Sequence, residues 1–226
     1  MFRQGSRIFL VCFFLGVFSS CYLFEAPYQE NVIDDLGVNN FENLSKEYKN
    51  REEWQKPKEV VDLLGDIQGL KVGDIGSGTG YFTFRLAMKG ANVLAVDIDP
   101  AMTEMIELFK QNLSNEFKSR IQIRNNTDQD PKIADGELDK ALMVNTINYI
   151  KSREIFMRRL VKGIKKGGEL LLVDFKCEIL PVYAPPLDER VEPEELIDLM
   201  ENFGMELVIS SQSMLEYQYV LLFRKK

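Results

Sequence analysis

The chain of 226 residues has no histidine, one tryptophan and three cysteines. Without imidazole there is no His-ligated metal centre, so no metal is expected, and any general base must be a carboxylate, tyrosine, lysine or water. Cys12 and Cys21 lie at the amino end, which leaves only Cys177 in the body of the chain. One mature chain therefore cannot be stapled by a disulfide. Cys177 reads as a small buried residue near a strand end, since no basic partner for a reactive thiol can be assigned. Positive charge is also scarce: 28 Lys and Arg face 35 Asp and Glu, for a net charge of −7. Such a surface repels phosphate backbones, so no nucleic-acid partner is expected. The exception is a run of Lys151, Arg153, Arg158, Arg159, Lys162, Lys165 and Lys166, which reads as the solvated face of a helix. Internal repeats are missing, and 45% hydrophobic residues suffice for one compact core.

The sequence does hold a short apolar run that ends in an acid and breaks into alternating glycines, Lys71 to Tyr81. Asp74 is followed by Gly76, Ser77, Gly78, Thr79, Gly80 and Tyr81. Glycine carries no Cβ and tolerates positive φ, so a nucleotide-like group can lie against the turn and the amides opening the next helix. A dinucleotide loop reads G-x-G-x-x-G and meets a pyrophosphate. Here the spacing is G-x-G-x-G, and Asp74 would repel that pyrophosphate while suiting an ammonium or sulfonium. A nicotinamide-dependent oxidoreductase is disfavoured on both counts. A second apolar run, Ala91 to Val96, ends in Asp97, and Asp99 with Pro100 offers a helix cap and first position.

Asp74 to Gly80 resembles motif I of the class I S-adenosylmethionine (SAM)-dependent methyltransferases, and the likeness runs from about residue 50 to the end. It implies SAM as cofactor and methyl transfer to a small-molecule or lipid-like acceptor. Asp74, Gly76, Ser77, Gly78, Thr79, Gly80 and Tyr81 would shape the amino-acid end of the pocket, and Asp97 with Ile98 would hold the ribose side. Thr127 or Asp128, in the polar loop after the strand Ile121 to Arg124, would hold the adenine amino group. Asn145 and Thr146, after the strand from Leu138, would stand where the acceptor enters. Asn145 and Tyr149 are the catalytic candidates, Asn145 counting among the cofactor-binding residues as well, with helix-start packing the alternative for Tyr149. Base-amino methyltransferases carry an Asn/Asp-Pro-Pro-Tyr type motif at that place, where this chain has Asn145-Thr146-Ile147-Asn148. Quinone-type methyltransferases often carry a His-His pair, where this chain has Asn148-Tyr149. The alternative function is therefore a SAM-binding lipoprotein of the same fold without catalysis.

Strand-length apolar runs alternating with helical stretches predict an α/β fold with a parallel sheet covered on both faces. The resemblance refines this to a Rossmann-like, seven-stranded, mostly parallel sheet with an antiparallel C-terminal hairpin. A basic helix is expected to end at Lys165-Lys166-Gly167-Gly168 before the fifth strand. Gly204 is expected to stop the helix that starts at Pro193. Trp54 reads equally as part of a lid and as a packing anchor. The prolines of Leu180 to Leu187 predict a rigid extended loop.

Residues 1 to 20 have a signal-peptide layout: Arg3 and Arg7, then an apolar core from Ile8 to Phe18, then Ser19-Ser20-Cys21. Cleavage there makes Cys21 a lipid-bearing N-terminus, with residues 21 to 40 as linker and 41 to 226 as the methyltransferase domain. An uncleaved anchor is the alternative. Either arrangement associates the protein with a membrane, facing the periplasm; a cytoplasmic place stays open because SAM is made there. Loss of Arg3 and Arg7 would take the net charge from −7 to −9.

Overall fold

The computed structural model describes residues 51–226. The leader, Cys21, the linker and the start of the expected domain lie outside the described residues. Seven strands form one sheet in the order β3-β2-β1-β4-β5-β7-β6. They are β1 Lys71–Ile75, β2 Asn92–Asp97, β3 Ile121–Asn125, β4 Leu138–Val144, β5 Ile164–Phe175, β6 Met205–Ser211 and β7 Gln218–Lys225. Neighbours among β1 to β5 pair in parallel, whereas β7 runs antiparallel to both β5 and β6. The expected fold class is thus observed, including the closing hairpin.

The strands alternate because each must bury two faces. On one face Val72, Val93, Ala95, Leu142 and Val173 pack against helices α1 (Pro57–Asp62), α2 (Tyr81–Met88) and α3 (Pro100–Lys110), through Val60, Leu86 and Ile106. On the other, Leu94, Met143, Leu172 and Phe223 meet Phe156 and Leu160 of α5 (Arg153–Gly163) and Leu196 and Met200 of α6 (Pro193–Asn202). The short α4 (Asn115–Arg120) lies before β3 and buries nothing. Order reverses between β1 and β4, so the carboxyl ends of these two strands open the crevice where α/β sheets bind ligands.

Local signals hold where they are stereochemical. Asp99 Oδ1 accepts from Ala101 N at 2.9 Å with Pro100 in the first turn of α3. Gly204, at φ 83°, follows α6 as its left-handed stop. One boundary is corrected: the basic helix ends at Gly163, and the chain is already extended at Ile164, opposite Leu138. Between the pairs Leu138–Ile164 and Lys140–Glu169, β4 advances two residues and β5 five, so Lys165 to Gly168 loop out. Gly167 takes φ 75°, and a Cβ on Gly168 would come within 2.5 Å of the Asp139 carbonyl. The double glycine therefore makes a turn inside the strand rather than a helix end.

Trp54 ends a helical turn before α1 and is buried against Phe175 and Tyr217, with ring centroids 5.9 and 5.8 Å away. Its neighbour Gln55 is fully buried. In this conformation Trp54 serves as the packing anchor that ties the leading segment to the β5–β7 edge. Trp54→Ala should cost about 3–5 kcal/mol, as large-to-small aromatic substitutions in cores do. A urea titration should show this as a lower midpoint at unchanged slope.

Candidate functional site

At the end of β1 the chain turns back on itself. Gly76 N and Ser77 N both donate to Val96 O, at 2.8 and 3.1 Å, and Gly80 N donates to Ser77 O at 2.9 Å. Gly76, Gly78 and Gly80 all have positive φ, 74°, 52° and 90°, a conformation that costs an ordinary L-residue. Their surroundings differ. A Cβ on Gly76 would meet the Thr146 side chain at 2.2 Å, and one on Gly80 would meet Phe84 at 2.6 Å. One on Gly78 would meet nothing within 4 Å. Two of the glycines thus admit close packing and the middle one faces open space.

Asp97 fixes this loop. Its Oδ2 accepts from Gly78 N at 2.7 Å and its Oδ1 from Asp99 N at 2.9 Å. Charge-assisted bonds of this kind are the strong ones. Ile98 beside it is exposed. Asp74 lies deeper, almost fully buried, and accepts from the Thr83 hydroxyl of α2 at 2.6 Å. Burial pushes its carboxyl up to about 7; the Thr83 bond opposes the shift and the nearby Asp97 charge adds to it. Asp74 therefore ties the end of β1 to α2.

The other expected contacts are distributed around this edge. The Tyr81 ring lies between the guanidinium groups of Arg51 and Arg85, at 4.3 and 3.9 Å, and its hydroxyl donates to Glu52 at 2.9 Å. Glu52 also pairs with Arg85. Thr127 forms an isolated bridge with Asp130. The Asp128 carboxylate accepts from Lys151 N and Ser152 N at 3.0 and 3.1 Å, tying the loop after β3 to the start of α5. Ser152 and Lys151 accordingly hold its carboxyl below the usual range.

Past β4, Asn145 takes φ 55° and Thr146 covers Gly76. Tyr149 ends the short 3₁₀ turn Ile147–Tyr149 and is 57% exposed, so it does not pack the helix start. Tyr183, 87% exposed, lies near enough to act on the Tyr149 hydroxyl, whose pKa is raised by burial and then by Tyr183. The extended loop expected from Leu180 to Leu187 is present up to the 3₁₀ turn Leu187–Glu189. Cys177 is half-buried rather than buried, and desolvation pushes its thiol up to about 11, which keeps it unreactive.

The sequence reading assigned no role to Asp174 at the end of β5. It is fully buried and accepts four bonds: Thr146 N at 2.9 Å, Ile147 N at 3.1 Å, Asn148 Nδ2 at 2.6 Å and Phe175 N at 2.9 Å. It shapes the whole turn from Thr146 to Tyr149. Burial pushes its carboxyl up to about 7, against the pull of its backbone donors. The signal that found Asp74 and Asp97, an acid closing an apolar run, also marks this residue. Gln55 lies with Trp54 on the candidate lid segment and Gln218 opens the last strand; both are fully buried, and no sequence signal pairs them. Among the described residues no group of His, Cys, Asp and Glu could hold a metal ion.

Asp74 and Asp174 both bind protons more tightly when folded, near 7 against an ordinary 3.8. Their stabilising contribution is fully present below 3.8 and lost as pH rises toward 7. The urea midpoint should therefore fall between pH 5 and pH 7. Asp74→Asn, which keeps an oxygen for Thr83, should flatten that slope.

Residues 73–172 match the model of a methyltransferase domain. Magnesium-protoporphyrin O-methyltransferase of Rhodobacter capsulatus is 32% identical over 93 residues, 41% of this chain and 39% of that one. Demethylmenaquinone methyltransferase of Tropheryma whipplei is 29% identical over 136 residues, 59% and 52%. The chain thus spans about two-fifths to a half of the length of these curated relatives. Among solved structures, a SAM-dependent methyltransferase from Aquifex aeolicus matches with TM-score 0.69 at 19% identity, covering 87% of this chain and 98% of that one. Magnesium protoporphyrin IX methyltransferase from Synechocystis PCC 6803, with bound SAH, matches at 0.66 and 16%, covering 87% and 99%. Residues 73–172 therefore resemble a methyltransferase domain, and the described residues share the fold of solved SAM-dependent methyltransferases.

Proposed function

We propose that this protein transfers a methyl group from SAM to a small, apolar acceptor. The observation that carries the reading is Gly78, the one glycine of the loop whose missing Cβ leaves open space, with its amide fixed on Asp97. A backbone surface held bare in this way suits a ligand laid against it. When bound, SAM supplies a methyl carbon on a sulfonium; that carbon bonds to the acceptor atom as the carbon–sulfur bond breaks and its electron pair stays on sulfur. The chain's own task is then mainly positioning. Gly76, Ser77, Gly78, Thr79 and Gly80 line the amino-acid end, with Asp74 and Tyr81 bracing the loop. Asp97 and the exposed Ile98 take the ribose side, and the segment of Thr127 and Asp128 the adenine side. Asn145 and Tyr149 face the acceptor.

An apolar acceptor is supported by Tyr149 and Tyr183, which stand exposed and near enough for one to act on the other. Large exposed apolar side chains gathered at one opening mark a binding surface. Relatives named for methylating magnesium-protoporphyrin and demethylmenaquinone agree with it. Binding without catalysis is the second reading, favoured by the lack of histidine.

Asp97→Ala should weaken SAM binding at least about tenfold, since it loses charge-assisted bonds to ligand and loop alike. Gly78→Val should block binding by filling the open space. Calorimetry on the purified protein checks both, and an unchanged affinity for either would remove this loop from the site. Methyl incorporation from labelled SAM separates catalysis from binding.

The amino end is proposed to anchor the protein to a membrane through a lipid on Cys21. More than one chain on that cysteine would hold firmly. Cys21→Ser should then move the protein from the membrane fraction to the soluble one. Recovery of the parent in the soluble fraction with residues 1 to 20 intact would refute the anchor.

A further inference from the structure

A row of side-chain amides runs from the leading segment to the site. The Arg51 guanidinium donates to Gln55 Oε1 through Nε at 3.0 Å and Nη2 at 2.8 Å. Gln55 Nε2 donates to Gln218 Oε1 at 3.1 Å, and Gln218 Nε2 donates to Asn145 Oδ1. Both glutamines are fully buried. A guanidinium has donors only, so Gln55 must turn its oxygen toward Arg51. Its nitrogen then faces Gln218, whose oxygen must meet it, and the Gln218 nitrogen is left for Asn145. Reversing any member would set donor against donor or acceptor against acceptor in a buried place, where an unmade bond costs most. The charge on Arg51 thus sets the direction of the whole row.

The row ends on Asn145 with the oxygen engaged and the NH2 left over. That nitrogen has no hydrogen-bond partner among the described residues and is not sealed from solvent, Asn145 being half-buried. The residue follows β4 at the switch point of the sheet, and Thr146 beside it lies against Gly76. We infer that Asn145 presents a fixed hydrogen-bond donor to the acceptor, and that the acceptor is therefore held by an oxygen, as a carboxylate, phenol or carbonyl-bearing molecule, and not by an amine. An amine nucleophile needs its N–H bonds accepted, and the oxygen of Asn145 already serves Gln218. Gln55 and Gln218 are positioning residues: they touch no ligand and act by fixing which end of Asn145 faces out. The inference rests on the methyl-transfer reading of the site.

Benzoate and benzylamine, one ring carrying either an oxygen anion or an ammonium, test it in the full chain by calorimetry, with and without saturating S-adenosylhomocysteine. Benzoate should bind at least about tenfold tighter, the size of one hydrogen bond to a charged group. This runs against the net charge of −7, which favours benzylamine everywhere else. Asn145→Asp keeps an oxygen for Gln218 and replaces the NH2 with a second oxygen, so the order should reverse. Gln218→Met cuts the row, frees Asn145 to turn over and should bring the two probes to near parity; if that variant fails to fold, Asn145→Asp still decides. Binding of neither probe, preference of the parent for benzylamine, or an order unchanged in Asn145→Asp would overturn the inference. Failure to bind S-adenosylhomocysteine with the benzoate preference intact would instead count against methyl transfer.

Discussion

The hydrogen bond from Gly78 N to the Asp97 carboxylate, 2.7 Å long, is the contact on which the site depends. Three left-handed glycines in five residues have much conformational freedom to lose. Nothing local would single out one arrangement. Asp97 does so from the end of the neighbouring strand, while Val96 O takes the amides of Gly76 and Ser77 from the same strand. The loop is therefore built on β2 as much as on β1. The ribose-holding role proposed for Asp97 would gain from this: the carboxylate's position is fixed before any ligand arrives, so less ordering remains to be done on binding.

The same device recurs in the turn after β4 with Asp174. Four donors converge on it, two of them from the turn after β4 and one from Asn148, whose Oδ1 in turn accepts from Val191 N at 3.0 Å. Arg190, next in the chain, reaches the carbonyls of Pro185, Lys176 and Glu178. One buried acid thus connects the turn carrying Tyr149 to the loop carrying Tyr183. Placing a carboxyl there has a desolvation cost, which is why its pKa rises. What the fold gains is a turn, held by backbone contacts, that leaves the Tyr149 ring exposed.

The parts of the site legible in the sequence are those whose cause is local. Glycine spacing, an acid closing an apolar run and an Asp-Pro helix start each express the stereochemistry of a few adjacent residues. The parts that were not legible depend on distance in the chain. Gln55 and Gln218 are 163 residues apart, and neither breaks a pattern in its own neighbourhood. The neighbours of Gly167-Gly168 look helical and predict a helix end, whereas the approach of the Asp139 carbonyl, 29 residues upstream, decides for a turn. Aromatics usually bury, which makes packing the simpler expectation for Tyr149; Asp174, by drawing in the amides of Thr146 and Ile147, sets the turn that leaves it exposed.

The basic run on and around α5 shows how a strong sequence signal can carry little function. Arg153 pairs with Glu195, Arg158 with Glu154, Arg159 with Asp130 and Lys165 with Asp139. Exposed pairs of this kind add little to stability. Their effect is on the surface field: four of the seven cations are matched by carboxylates of the chain itself, and Arg158 also lies over the Phe203 ring at 4.8 Å. A phosphate backbone approaching this face would have to displace those carboxylates, inside an already negative molecule, and would recover few released counterions in return. The charge pattern therefore points away from polyanions, in keeping with the small-molecule acceptor proposed for the carboxyl edge of the sheet.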